Sequence, residues 1–495
     1  PSRYTASSTL QRMELLKTGY MGTLSLGWDN YLFLELTGRQ ERSSTLKDQS
    51  FFYPSANLSF LFSNAFRMPA WWNHGKLRLS YGVVGNAPET YAANIIYEQG
   101  SDNGFTWNYV PSSWGNANIR PEKKYEYEIG FESKFLNNRL GFDVSYYNNR
   151  VKDQILSTPQ PSTSGVKYVL MNVGEVANEG WDISVSATPV LTKNFRWDLT
   201  ANYGIYRNKV VKLADGVPYL EISNIGGGGA KIQAVEGRPM GDIYVQVPQM
   251  NENGEYLVSD KGLYMNQTEL QRVGNINPDG VGGLFSSFSY KNIFLDFSID
   301  FRIGGDVINE MYQYSTASGL TPESLQFRDT EHGGLSYYYP GNNNASGVPV
   351  QVDPSLGAGP NGETVYHDGV ILPGVVASTG EKNTRIIPAG YYYNQTYNWG
   401  TQPEQLTYRH SVFDNSYVKL RELTIGYQFP EKLISKLGMT RLSVSVFGRN
   451  LFYFYKALKN YDAESSVGTS WASQAVVGGS TTATRNFGVS LRASF

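Results

Sequence analysis

The sequence predicts an all-β fold, a transmembrane antiparallel β-barrel, and three observations support this prediction. Apolar and polar residues alternate in segments of about ten residues, and side chains on a strand point alternately to two faces. The connections between these segments are alternately short and long. The sequence contains no run of about 18 apolar residues, the length that a spanning helix needs, so contact with lipid would require a closed barrel.

The alternating segments are longer than the strands of most soluble sheets. Apolar residues occupy every odd-numbered position within 195–205 and within 293–303. Ten residues at about 3.3 Å each, tilted by about 45°, rise about 23 Å, which is close to the apolar band of an outer-membrane barrel. The pattern predicts about thirteen strands, and these are 19–28, 31–40, 57–64, 75–84, 123–134, 139–149, 178–188, 194–205, 282–291, 292–303, 416–429, 440–450 and 485–495.

Short and long connections follow one another in order between these strands. The short links are 29–30, 137–138, 189–194, 291–292 and 430–439. The long loops are 85–122, 149–177, 206–281, 304–415 and 451–483. A transmembrane barrel has tight turns on its inner side and long loops on its outer side, so this order favours a barrel over a soluble sandwich. The loop 304–415 is so long that we expect it to act as a lid, a wall or a docking surface.

Composition excludes several functions. The chain has 42 basic and 44 acidic residues in mixed order, a formal charge of −2, and therefore no basic surface for nucleic acid. It has no Cys, which excludes a disulfide scaffold and thiolate metal sites. Its four histidines, His74, His332, His367 and His410, are far apart and form no metal-binding or catalytic motif. We therefore expect neither an enzyme nor a cofactor.

Several motifs resemble those of the SusC-like branch of TonB-dependent outer-membrane transporters. The first three are PEKKYEYEIG at 121–130, NRLGFDVSYY at 138–147 and NVGEVANEG at 172–180. Four later segments agree, and these are 236–244, 275–283, 417–430 and 446–451. The resemblance covers about residues 75 to 495 in the family's order, and the combination is more specific than any single motif.

This resemblance implies the C-terminal part of one larger barrel. The whole barrel would have about 22 strands. Residues 1–495 would contribute roughly the last thirteen of them, and the plug domain would lie outside this chain. An odd strand count agrees, because single-chain bacterial barrels close with an even number. The first and the last strand of this chain would then both run inward, towards the periplasm, which places the C-terminus on the periplasmic side of the bacterial outer membrane. Phe495 resembles the terminal aromatic residue that serves outer-membrane barrels as an assembly signal.

The family also implies a function and partners. The expected function is TonB-dependent nutrient import, of glycans or oligopeptides, together with a SusD-like surface lipoprotein. The expected partners are that lipoprotein, outer-membrane lipid, and the TonB–ExbB–ExbD complex acting through the missing N-terminal region, with a dimer of SusC–SusD pairs as a further expectation. Four alternatives remain open: a siderophore or cobalamin receptor of the same superfamily, a passive porin, a soluble surface lectin, and a SusC-like barrel used as a scaffold in a larger envelope complex.

Candidate site residues fall into two groups. Aromatic residues in the long loops, beside small polar residues, are candidates for contact with substrate or with the lipoprotein lid; they could also form the aromatic girdle at the membrane surface. These are Trp107, Trp114, Tyr338, Tyr392, Tyr397 and Trp399. Asp296, Asp300 and Arg302 lie on the polar phase of their strand and are expected to face the lumen, paired with each other or with a plug.

Overall fold

A computed structural model describes residues 13–46, 50–94, 96–102, 105–160, 163, 165–398, 407–479 and 483–495. Its largest element is a sheet of thirteen strands, β1 to β13, in which each strand pairs antiparallel with its neighbours in chain order. The strands are β1 (Lys17–Trp28), β2 (Leu32–Ser43), β3 (Ser50–Phe60), β4 (Trp72–Asn86), β5 (Glu122–Phe135), β6 (Leu140–Lys152), β7 (Glu175–Leu191), β8 (Phe195–Lys212), β9 (Gly280–Tyr290), β10 (Ile293–Ile303), β11 (Tyr417–Gln428), β12 (Arg441–Lys456) and β13 (Asn486–Ser494).

All thirteen predicted strands are therefore present, with one displaced. The third strand was expected at 57–64, but β3 begins at Ser50 and a helical turn, α1 (Phe62–Ala65), follows it. The apolar run 51–53 and Pro54 hide the alternation in the first half of this strand, although Tyr53 pairs with Arg39 of β2. Strands β7 and β8 are also longer than predicted, because their pairing continues to Glu175 opposite Lys212.

The tight turns lie where the sequence predicts them. Residues 29–31 form a three-residue turn between the paired Trp28 and Leu32. Asp29 and Asn30 have φ values of 45° and 56° there, and Asn and Asp tolerate this left-handed conformation better than other side chains. The order of short and long connections is wrong at one place, since only residues 44–49 join β2 to β3 on the side of the long loops.

The strand register separates an apolar face of the sheet from a polar face. Five residues from neighbouring strands form one continuous cross-strand row: Leu79, Ile129, Tyr146, Trp181 and Ile205. A second row lies three residues away from the first on each shared strand. It is almost entirely polar and crosses nine strands: Lys76, Glu132, Asp143, Ser184, Asn202, Gly283, Asp300, Lys419 and Tyr453. Because the side-chain period of a strand is two, each row keeps one face across the sheet.

The long connections are folded, and we call them together the loop assembly: the described residues of 87–121, 153–174, 213–279, 304–416 and 457–485. It contains two helices, α2 (Glu310–Ala317) and α3 (Ala389–Tyr397), and a further turn, α4 (Glu431–Ile434), lies in the link between β11 and β12. Its strands are Glu98–Asp102, Phe105–Tyr109, Ser113–Trp114, Ile155–Pro159, Tyr168–Asn172, Tyr219–Ile225, Ala230–Val235, Asp242–Val245, Leu257–Val258, Gln271–Asn275, Asp306–Asn309, Leu335–Tyr338, Val350–Gln351, Val365–Val370, Val375–Val376, Ile387–Pro388, Val412–Asp414 and Val476–Val477.

Most of the buried apolar core lies in the loop assembly rather than in the sheet. Strands from different loops join there: Asp306–Asn309 pairs with Val412–Asp414 and, in parallel, with Val476–Val477. The largest cluster of buried residues draws on three loops and consists of Ile225, Ala230, Ile232, Ile243, Val245, Ile276, Ile308, Tyr408, Ala472, Ala475 and Val476. In the part of the chain that the structure describes, no helix is long and apolar enough to cross a membrane.

Candidate functional site

The polar face of the sheet carries an ordered set of ion pairs around Arg78. Its Nη2 lies 2.6 Å from Asp143 Oδ1, its Nη1 lies 3.4 Å from Glu132 Oε2, and Nη2 also donates to Ser145 Oγ at 3.1 Å. The side chain reaches these partners by crossing Gly130, where a Cβ atom would lie 2.7 Å from Arg78 Nε. Opposite charges on β4, β5 and β6 therefore pair with one another on this face.

The predicted lumenal residues of β10 have three different partners. Asp296 Oδ1 accepts a hydrogen bond from Ser287 Oγ at 2.6 Å, and Asp300 Oδ2 accepts one from Arg421 Nε at 2.6 Å. Arg302 donates instead to two backbone carbonyls, Ile276 O at 3.0 Å and Gly304 O at 3.2 Å. The expected pairing of these three residues with one another is therefore not what the structure contains. Asp300 alone enters a larger network.

A β-bulge in β11 places Arg421 in that network. The pairing with β10 shifts register between Ser298 and Ile299, so that Arg421 and Glu422 are adjacent residues at the bulge. A bulge inserts one extra residue and redirects a side chain. Arg421 can therefore bond both Asp300 on the polar face and Glu464 from the last loop.

Residues 461–465 of the last loop, which we call the strap, are fixed to β11 and β12 by side chains. Tyr453 Oη donates to Asp462 Oδ1 at 2.6 Å, and Asn415 Nδ2 donates to Ala463 O at 3.0 Å. Arg421 Nη1 donates to Glu464 Oε2 at 3.0 Å. The same carboxylate pairs with the ammonium group of Lys419, whose side chain is 2% exposed and lies over the ring of Tyr453.

The strap's two carboxylates are held in their charged forms. Burial acts to raise the pKa of Glu464, but hydrogen bonds from Arg421 and Lys419 outweigh it and leave that pKa below its ordinary value. Burial likewise opposes the charged form of Asp462, and the bonds from Tyr453 and from two backbone N–H groups lower its pKa. The strap is thus attached by charge-assisted bonds at neutral pH.

An open cavity of about 610 Å³ lies on the polar face next to the strap network. Asp300 and Tyr417 line it on one side, and Asp143, Asp182 and Asn202 line it on the other. The groove is therefore rich in carboxylates, and it shares Asp300 with the residues that hold the strap.

The aromatic candidates in the loops have unequal access to solvent. Trp107, in the hairpin strand Phe105–Tyr109, is 48% exposed, and Trp114 is half-buried with its ring 6.4 Å from that of Tyr97. Tyr338 and Tyr392 are also half-buried. Tyr397 is only 7% exposed, because it packs at the end of α3, so it offers little surface to a ligand. Trp399 lies outside the described residues.

Sequence reasoning missed a junction at which several of the motifs meet. Asp242 is completely buried, pairs with Arg272 Nε at 2.8 Å and accepts a hydrogen bond from Asn275 Nδ2 at 2.9 Å. Asn277 donates to Met240 O at 2.7 Å and accepts from Trp471 Nε1 at 3.3 Å. The segments 236–244 and 275–283 are therefore joined by hydrogen bonds and support the rest of the loop assembly. The recurrence of Gly, Asn and Asp in both was the available signal.

The fold and the polar face together define the class of protein: a β-barrel wall with one apolar face, one charged face and long folded loops. A model of the family described as "TonB dependent receptor-like, beta-barrel" matches residues 3–243. Among curated proteins, the chain is 22% identical to TonB-dependent receptor P3 of Formosa agariphila, over 90% of this chain and 42% of that protein. It is 27% identical to TonB-dependent receptor SusC of Bacteroides thetaiotaomicron, over 45% of this chain and 24% of that protein.

Solved structures give the same answer for the fold. The RagAB peptide transporter matches with a TM-score of 0.67 and 18% identity, over 96% of this chain and 47% of that one. The RagAB peptide importer in the 'open-open' state matches with a TM-score of 0.68 and 19% identity, over 97% and 47%. The predicted resemblance to SusC-like TonB-dependent transporters is thereby confirmed, and the fold is that of their β-barrel. The chain spans less than half the length of the relatives described here.

The matching family model and the curated relatives named above are all described as TonB-dependent receptors. Within the described residues, no group of three or more His, Asp or Glu side chains is arranged to hold a metal ion.

Proposed function

We propose that this chain is the barrel portion of a TonB-dependent importer that takes up glycans or oligopeptides with a SusD-like surface lipoprotein. The observation that carries the proposal is the separation of two surfaces. One face of a thirteen-stranded sheet is apolar and exposed, as lipid contact requires, and the other is lined with paired charges next to an open groove. The names of the relatives support import: one is SusC, and another is described as a peptide importer.

The two edges of the sheet supply a second argument. Among the residues that the structure describes, β1 and β13 each pair on one side only, and every residue of β1 is exposed. An unpaired strand edge is unfavourable in lipid, because each free N–H and C=O group lacks a partner there. We infer that further strands close the barrel between β13 and β1, and that a plug fills the lumen and couples to TonB–ExbB–ExbD. The C-terminus, with Phe495 81% exposed, would lie on the periplasmic side and serve assembly.

The hairpin at the top of the first long loop is our candidate contact for the lipoprotein. Its cross-strand pairs place Phe105, Trp107 and Tyr109 on one face and Thr106 and Asn108 on the other. The three aromatic side chains are 44–78% exposed. An exposed aromatic face with a polar reverse side is typical of a protein contact surface, so Trp107 is better placed for a lid than the buried Tyr397.

Uptake in cells tests this function. The protein, produced at full length, should remain in a washed membrane fraction until detergent is added, and it should import labelled oligosaccharide or peptide only in cells with an intact TonB system. Trp107→Ala should reduce co-purification of the lipoprotein, with Trp197→Ala, in the barrel wall, as the matched control. Import that continues without TonB would contradict the proposal, and release of the protein without detergent would contradict the barrel itself.

A siderophore or cobalamin receptor and an envelope scaffold are the alternatives. A scaffold would assemble normally but import none of the labelled compounds. A siderophore receptor would import an iron chelate and would not need a lipoprotein.

A further inference from the structure

A small cavity in the longest loop carries two opposite charges that do not pair with each other. The cavity has a volume of about 370 Å³, within the range of small-molecule sites, and lies between α2, α3 and the strand Val365–Val370. Its lining is Ala317, Ser318, Gly319, Arg328, Asp368, Ala389, Gly390 and Tyr393. Apart from the two charges and Tyr393, these residues are small, which leaves the space open.

Arg328 is held in place by backbone carbonyls rather than by a carboxylate. Its Nε donates to Ser324 O at 2.9 Å and its Nη2 donates to Gly319 O at 2.5 Å. Gly319 has a φ of 74°, and a Cβ atom there would lie 2.1 Å from Arg328 Nη2, so this glycine is needed for the arrangement. Two neutral acceptors thus orient a guanidinium group that is exposed and open to an incoming anion.

Asp368 is fixed in a comparable way. Its Oδ1 accepts a hydrogen bond at 3.0 Å from Tyr337 Oη, a side chain that is 1% exposed. Among the residues that the structure describes, neither Asp368 nor Arg328 forms an ion pair. The ring of Tyr393 forms part of the wall, and its hydroxyl is occupied, because it donates to Glu323 O at 2.8 Å.

We propose that this cavity binds a compound with one carboxylate and one ammonium group, as in a free amino acid or a dipeptide. The carboxylate would bond Arg328, whose planar fork matches it, and the ammonium group would bond Asp368. A neutral oligosaccharide would hydrogen-bond both side chains through its hydroxyl groups but would supply a counter-charge to neither. The inference rests on the proposed importer and narrows its substrate class to compounds with peptide chemistry.

Binding to the purified full-length protein, measured by isothermal titration calorimetry, tests this site. The probes are alanine, dialanine, the uncharged N-acetyl-dialanine amide, and maltotriose. Alanine, dialanine or both should bind, and the two arms distinguish a free amino acid from a dipeptide. Arg328→Gln and Asp368→Asn should each weaken binding about tenfold or more, since each removes a charge-assisted contact. Binding of the uncharged amide as tightly as of dialanine would overturn the proposal, and so would binding of maltotriose in competition with dialanine.

Two further variants separate a binding defect from a folding defect. Gly390→Leu leaves the bonds of Arg328 intact and introduces a bulky side chain in the cavity lining, where a Cβ atom meets nothing within 4 Å. It should abolish binding while the barrel assembles normally. Arg385→Gln removes a positive charge and Asp353→Asn removes a negative charge, both outside the cavity. Neither variant should change binding. Dialanine binding that survives Gly390→Leu would overturn the site.

Uptake distinguishes this site from the importer itself. Labelled peptide imported by a protein that binds neither alanine nor dialanine would reject the site and keep the importer. Binding that depends on Arg328 and Asp368 in a protein that imports nothing would keep the site and reject the importer.

Discussion

The sheet and the loop assembly place their apolar side chains in opposite environments. In the sheet, Ile425 and Val446 are cross-strand partners and are 55% and 54% exposed. In the loop assembly, Ile232 and Ile243 are also cross-strand partners, and both are 0% exposed. The same kind of residue pair, in the same kind of antiparallel ladder, is thus open to its surroundings in one region and fully buried in the other.

In the proposed barrel, this difference means that water stabilises one region and lipid the other. The loop assembly folds as a water-soluble protein does, by burying apolar surface against itself. The sheet leaves its apolar rows exposed, and these are stable only against lipid. A change that harms one region should therefore leave the other intact, and the predictions below use that expectation.

The largest effect is expected from a charge in the core of the loop assembly. Ile232→Asp places an unpaired carboxylate where the side chain has no access to water, at a cost of about 4 kcal/mol or more. Limited proteolysis of intact cells should then cut the loops, while the barrel keeps its heat-modifiable mobility in gel electrophoresis. Ile222→Asp, at a position that is 37% exposed, is the control. Loss of the barrel as well would show that the two regions are not independent.

A charge on the apolar face of the sheet should have the reverse effect. Val446→Arg should destabilise the assembled barrel by about 2–4 kcal/mol, because arginine is unfavourable in the middle of the bilayer. The yield of folded protein in the outer membrane measures this. Ser445→Arg, one residue away on the other face, should cost much less. Equal losses from the two variants would refute the assignment of the faces.

Loosening the strap should have a smaller effect, confined to one loop. Arg421→Gln removes bonds to two carboxylates, each worth about 1.5–3 kcal/mol when charged groups are involved. Because the chain has no native Cys, the rate at which a water-soluble maleimide labels Ser465→Cys reports the strap; Ser465 is 9% exposed. Labelling should accelerate about tenfold or more in Arg421→Gln. It should stay slow in the control Arg449→Gln, which breaks the pair with Glu422 and the contact with the Phe447 ring and touches neither strap carboxylate.

The smallest effect is expected from pH. The pKa values of Asp462 and Glu464 are lowered in the folded strap, so their contribution is complete above the ordinary carboxyl range and is lost as pH falls through the lowered values. Because only the thiolate reacts, the labelling rate of Ser465→Cys is divided at each pH by the rate of Ser355→Cys, at an exposed position. This ratio should stay low from pH 7 to pH 5 and rise only below the ordinary carboxyl range, about pH 4. A rise between pH 7 and pH 5 would show that other groups hold the strap.

The sequence predicts the sheet well because its signal is local. Residues 293–303 alternate within eleven consecutive positions, and β10 has these bounds in the structure. The bounds of β3 were predicted wrongly for the same reason, since the apolar run 51–53 interrupts the alternation there. Asp300, which the alternation places among the polar residues of its strand, lies in the charged network of the polar face.

The loop assembly could not be predicted because its contacts join distant segments. Leu257–Val258 pairs with Val375–Val376, and Asp306–Asn309 pairs with Val476–Val477. No local period marks such pairs. The bulge at Arg421 is equally invisible, since a one-residue insertion becomes apparent only against the partner strand. For this reason the strap and the cavity at Arg328 were found only in the structure.

One measurement tests the central claim, that one face of this sheet meets lipid and the other faces an aqueous lumen. Single cysteines at Leu423, Thr424, Ile425, Tyr427 and Gln428 of β11 would be labelled in outer membranes with a water-soluble and a lipid-soluble thiol reagent. The account predicts alternation: the lipid-soluble reagent labels positions 423, 425 and 427, and the water-soluble reagent labels 424 and 428. Labelling of all five positions by the water-soluble reagent, or the same reactivity at neighbouring positions, would contradict it.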